Sequence, residues 1–192
     1  MSLKLVGAGS MEARMRCGSR DVTLYPSYSI DALGGLLEAT ITLIESNGVM
    51  DVLPEKGPEF EAPIKDFCYW DCDPGSFIWE LSYLSAVELR VSLSEQRLGR
   101  KKTSRKLLLE TDIPAVTWCE MLLSNATRIL RRHGLAGYRA AWIRHEFPVG
   151  FYLRLLSYRK SKFRLGQVSE DFDPPERTSL SRELRTLLQE VQ

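Results

Sequence analysis

The chain has only two histidines, His133 and His145, and four cysteines at unrelated spacings, Cys17, Cys68, Cys72 and Cys119. That scarcity removes most nucleophilic and metal chemistry. A Cys/His or Ser/His pair needs a base beside the nucleophile, and His133 is better explained as a cation in the last turn of a helix. Cys68 and Cys72, four apart on an extended strand, lie about 13 Å from each other, whereas zinc holds each thiolate within about 2.3 Å. Both read as core thiols, so no catalytic residue, metal or cofactor is expected. The cysteine spacings form no disulfide framework, which suits a reducing compartment. No apolar run approaches the roughly 20 residues that cross a bilayer, and the amino end lacks the basic, apolar and small-residue sequence of a leader. The expectation is a cytoplasmic, non-enzymatic protein without an internal repeat.

A net charge surplus is missing as well, since the formal total is +1. The charges are nevertheless segregated. From Asp51 to Glu80 there are eight acids and two lysines, while Arg97 to Lys106 carries six bases and no acid. A second basic stretch runs from Arg128 to Arg164. Proteins that depend on phosphate contacts usually carry a basic surplus over the whole domain. A nucleic-acid-binding module using Arg100, Lys101, Lys102 and Arg105 of the basic loop 97–106 is therefore the alternative reading. The first is an acidic contact face at Asp66, Asp71, Asp73 and Glu80 that takes a basic protein partner, because complementary charge speeds encounter and rejects wrong partners.

The fold is written more plainly. Asp73-Pro74-Gly75-Ser76 has the composition of a tight turn, with Gly75 where φ is positive. Closing on Asp73 and Ser76 would set Trp70 opposite Trp79 and Cys68 opposite Leu81, with Asp71, Asp73 and Glu80 on the other side. A wider loop with a bulge is the alternative connection. Val87, Leu89, Val91 and Leu93 alternate with polar residues, as in a half-buried antiparallel strand, and Lys106–Glu110 continues the meander. Asp21–Tyr25, ended by Pro26, reads as a first, edge strand. Ser29 as N-cap, Asp31 in the first turn and Ile30, Leu33, Leu37, Ile41 and Ile44 mark a helix. A second helix starts at Pro114, with Thr111 or Asp112 as cap, and ends at Gly134. A short helix from Gly137 and a third from Pro148 follow. The expected fold is α+β: an antiparallel meander of four to six strands packed on helices on one face, with Trp70, Phe77, Trp79, Val87, Leu89 and Val91 covered. Residues 1–20 read as a poorly ordered lead-in, 21–165 as the domain, and 166–192 as a linker and C-terminal amphipathic helix. That helix carries Leu184, Leu187, Leu188 and Val191 and is expected to dock on its own domain or, slightly favoured, to pair two copies into a homodimer.

Trp70 through Leu81, together with Gly137-Tyr138, Trp142 and Phe147-Pro148, resembles an uncharacterised family of small bacterial cytoplasmic proteins with a Trp-acid-Pro-Gly-aromatic-Trp hairpin. The likeness runs from about Val22 to Tyr158. It implies an α+β fold and, through that family's association with toxin-immunity proteins, an immunity-type role in which the chain neutralises a basic toxin by binding it.

Overall fold

The computed structural model describes the chain except at residues 8, 28, 51–64, 73–74, 86, 99–102, 161–179 and 192 and, for side chains, at 47–50 and 160. The fold is α+β, with two antiparallel sheets and helices. Strands β1 (Ser2–Gly7), β2 (Ser10–Cys17) and β3 (Arg20–Leu24) form a three-stranded sheet in chain order. Helix α1 (Ala32–Met50) follows. Strands β4 (Lys65–Asp71), β5 (Gly75–Ser85), β6 (Glu88–Arg97) and β7 (Ser104–Pro114) then make a four-stranded meander. Helices α2 (Ala115–Trp142), α3 (Val149–Lys160) and α4 (Leu180–Val191) complete the order.

The first twenty residues correct the expectation of a poorly ordered lead-in. Leu3 and Leu5 on β1 pair with Ala13 and Met11 on β2, and all four are buried with Met15. Lys4, Glu12, Arg14 and Arg16 fill the alternate, outward positions, so a polar composition conceals a period of two. Asn125, buried on α2, fastens this sheet to the helices: its Oδ1 accepts from the Leu3 N–H at 2.8 Å and its Nδ2 donates to the Met121 carbonyl at 2.7 Å. β3, foreseen as the first strand, is the third and lies at the edge of its sheet.

In the larger sheet the register differs from expectation by two residues. Trp70 pairs with Phe77 and Cys68 with Trp79, while the Cys72 N–H donates to the Gly75 carbonyl at 3.0 Å. Gly75 therefore opens β5 instead of supplying positive φ to the turn. A Cβ there would lie 2.2 Å from the Gln96 carbonyl oxygen, so its role is close approach to β6. Because side chains alternate with period two, a two-residue slip keeps every side chain on its expected face. Trp70, Trp79, Leu81, Leu89, Val91 and Leu93 are buried under the helices. Phe77 is only partly buried, and Val87 is 72% exposed because β6 begins one residue later.

One helix start is set by a local cap and the other by a tertiary contact. The cap of α1 is Asp31, whose Oδ1 accepts from the Gly34 N–H at 2.8 Å, not Ser29. Neither Thr111 nor Asp112 caps α2; both remain in β7, and the Ala115 N–H donates to the Val87 carbonyl at 2.9 Å. Gly134 (φ 64°) interrupts α2 at the place expected for its end. Trp118 on α2 sits 6.1 Å from Trp79 and Trp70 5.0 Å from Trp79, ring centre to ring centre, so the aromatic core lies between sheet and helices. Helix α4 rests on the same chain, with Leu187 and Val191 packed against the core. Among the described residues no helix is long and apolar enough to cross a membrane.

Candidate protein-binding face

The four-stranded sheet has one face against α1 and α2 and one face open. Alternation decides what the open face carries: Lys65, Phe67, Tyr69 and Asp71 from β4, Ile78, Glu80 and Ser82 from β5, Arg90, Ser92 and Ser94 from β6, and Arg105, Leu107, Glu110 and Asp112 from β7.

Glu80 is its centre. Lys65 Nζ donates to Glu80 Oε1 at 2.7 Å and an Arg105 guanidinium nitrogen lies 3.3 Å from Oε2. The hydrogen bond from Lys65 and the nearby positive charges of Lys65 and Arg105 together outweigh the opposing effect of burial and hold the Glu80 carboxyl below its usual range. One strand over, Ser92 Oγ donates to Glu110 Oε2 at 2.9 Å, and Arg90 grips Asp112 with two nitrogens at 2.8 and 3.0 Å. Ser82, Ser92 and Ser94 are buried beneath these long side chains in a shallow hollow of about 280 Å3. Beside this polar network stand exposed Phe67, Tyr69 and Leu107. Ile78, paired with Tyr69 across β4–β5, is only 3% exposed although it points away from the core, so the apolar part of the face is already consolidated.

The residues singled out in the sequence fare differently. Glu80 and Asp71 share the open face; Asp71 accepts from Ser29 Oγ at 3.0 Å. Asp66 falls on the opposite face, in phase with Cys68 and Trp70, and its Oδ1 accepts from the Phe67 N–H. Asp73 lies outside the described residues, as do Arg100, Lys101 and Lys102. Arg105, from the basic loop, is paired with Glu80, so one residue of the acidic set and one of the basic set meet in a single ion pair. Phe67, Tyr69, Lys65 and Leu107 were missed as site residues. Counting by twos outward from Asp71 would have placed the first three.

Cys68 and Cys119 have the character of core residues, whereas Cys17 and Cys72, the latter expected in the core, are only partly buried. Burial pushes the Cys68 and Cys119 thiols up to about 12, far from the reactive thiolate range. Burial likewise raises Cys72. Among the described residues no group of three or more His, Cys, Asp or Glu side chains is placed to hold a metal ion. No protein-family model matches the chain, and no curated protein or solved structure matches it.

Proposed function

We propose that this protein is a non-enzymatic binding module that takes a protein partner on the open face of the β4–β7 sheet. The observation that carries the reading is the adjacency of Phe67, Tyr69 and Leu107, exposed, to the ordered Lys65–Glu80–Arg105 network. Aromatic and arginine side chains on a preordered patch are the composition of interface anchors. The charges of this patch are largely paired within it, so the partner surface that fits is balanced in charge, with apolar groups that meet Phe67, Tyr69 and Leu107, rather than strongly basic. The hairpin resemblance gives the partner a class, a bacterial toxin, with this chain as its immunity-type antagonist. Arg105 is turned to a carboxylate rather than left for phosphate, which weighs against the nucleic-acid reading.

The test is co-expression with the product of the adjacent reading frame. The wild-type chain is expected to bind that product and relieve its toxicity. Tyr69→Asp with Phe67→Asp should abolish both while leaving the circular dichroism spectrum unchanged, whereas Asp71→Lys should have little effect. Loss of rescue with Asp71→Lys but not with the aromatic variants would restore the acidic-face reading and reject this one.

A further inference from the structure

Arg128, Arg131 and Arg132 stand at i, i+3 and i+4 on α2 and so share one helix face within about one turn. Arg159 of α3 joins them around a hollow of about 580 Å3 whose lining also includes Ser124, Thr127 and the acidic Glu120. Like charges at this spacing repel, so the cluster calls for an anion. Part of one is already present. Arg131 donates through Nε and an Nη nitrogen to the main-chain carbonyl of Glu190 on α4, at 3.1 and 2.7 Å, and Arg159 is bonded to the Glu190 carboxylate. Among the described residues Arg128 reaches only Ser2 Oγ and Asn125 Oδ1, both at 3.4 Å, and no carboxylate pairs with Arg128 or Arg132.

We propose that this hollow is a binding site for a compact phosphoryl-bearing small molecule, and that Glu190 of α4 occupies part of it as an internal competitor. The guanidinium fork matches carboxylate and phosphate alike, and Glu190 shows two of the four forks donating to oxygen. Of the two carboxylates that line the hollow, Glu120 forms no ion pair with these arginines among the described residues and Glu190 has too few oxygens for four guanidinium groups, whereas a diphosphate offers oxygens and charge for all of them. The volume is that of a small-ligand pocket rather than a strand-long groove. The site lies on α2, α3 and α4, away from the open sheet face, and its existence does not depend on that face binding protein.

Calorimetric titration of the full chain with pyrophosphate tests it. Saturable binding is expected, weakened by about tenfold or more in the Arg128→Gln/Arg132→Gln variant, since hydrogen bonds to charged groups are the strong ones. Glu190→Gln should strengthen binding several-fold by removing the competing charge. Arg132→Gln alone serves if the double variant fails to fold. Absence of binding, or equal binding by wild type and the arginine variants, overturns the site. Tighter binding of a single-stranded oligonucleotide than of pyrophosphate, with the same arginine dependence, overturns the small-ligand class. Weaker pyrophosphate binding by Glu190→Gln overturns the competitor role.

Discussion

Trp70, Trp118 and Trp142 each donate their indole N–H to an oxygen of α1 or of its approach: the Ala32 carbonyl at 2.9 Å, Thr40 Oγ1 at 3.0 Å and the Ile30 carbonyl at 3.1 Å. Trp79 differs. It is as deeply buried, but its Nε1 has no hydrogen-bond partner among the described residues. Leaving a buried donor unpaired costs about 1–3 kcal/mol, which offsets part of what the ring contributes by filling space. Trp79→Phe should therefore cost less in urea unfolding than Trp118→Phe, where Thr40 would be left without its donor, although Trp79→Ala should cost about 3–5 kcal/mol. A larger cost for Trp79→Phe than for Trp118→Phe would show that the Trp79 N–H is satisfied. Asp31 gives a pH-dependent counterpart. Burial raises its pKa above the ordinary 3.8, opposed by the hydrogen bond from Gly34 and the charge of His145. A raised carboxyl binds its proton more tightly in the folded state, so its contribution to stability is present below 3.8 and is lost as pH rises through the folded value. Asp31→Asn keeps an acceptor for Gly34 without the charge. Its stability relative to wild type should rise with pH across that window, and a relative fall would mean that the carboxylate is favourable where it sits.

Ile143, between α2 and α3, is the only non-glycine residue with positive φ among those described (φ 70°, ψ −49°). The Arg144 N–H bonds back to the Trp142 carbonyl at 2.8 Å, which makes Ile143 the centre of a γ-turn of the rare, strained hand. A β-branched residue there costs on the order of 1–3 kcal/mol, and the half-exposed side chain returns little. Ile143→Gly should accordingly raise the melting temperature; a lower one would show that the side chain holds more than its exposure suggests. Elements whose signals are local were legible in the sequence. The meander, the break at Gly134 and the sharing of one face by Asp71 and Glu80 follow from period and turn residues, and survived a two-residue error in register because faces depend only on parity. What depends on distant chain was not legible. The Val87 carbonyl takes the first N–H of α2, and Arg105 comes from two strands away to meet Glu80; the cap of α1 was missed within a local signal, since Ser29 and Asp31 have the same capping chemistry two residues apart. The first sheet escaped for another reason, its alternating Leu3, Leu5, Met11, Ala13 and Met15 being set among charged neighbours in a short glycine-containing stretch.

Across the whole molecule, α4 is the element whose placement governs assembly. Its inward side, at Leu187, Val191 and Glu190, is held by the core and by Arg131 and Arg159 of the same chain. What remains outward is the line Leu180, Leu184 and Leu188, all exposed. A twofold helix pair, the arrangement the stiff Pro174-Pro175 link favours in the sequence, would have to be built on that line. A stable interface buries about 800 Å2 on each partner, well beyond what three leucine side chains already lying partly against their own helix offer. The full chain is therefore expected to be a monomer at micromolar concentration by light scattering, with the same mass per particle after Leu184→Lys and Leu188→Lys. A mass that rises with concentration in the wild type and is returned to that of one chain by those two substitutions would establish that the outward leucines join two copies.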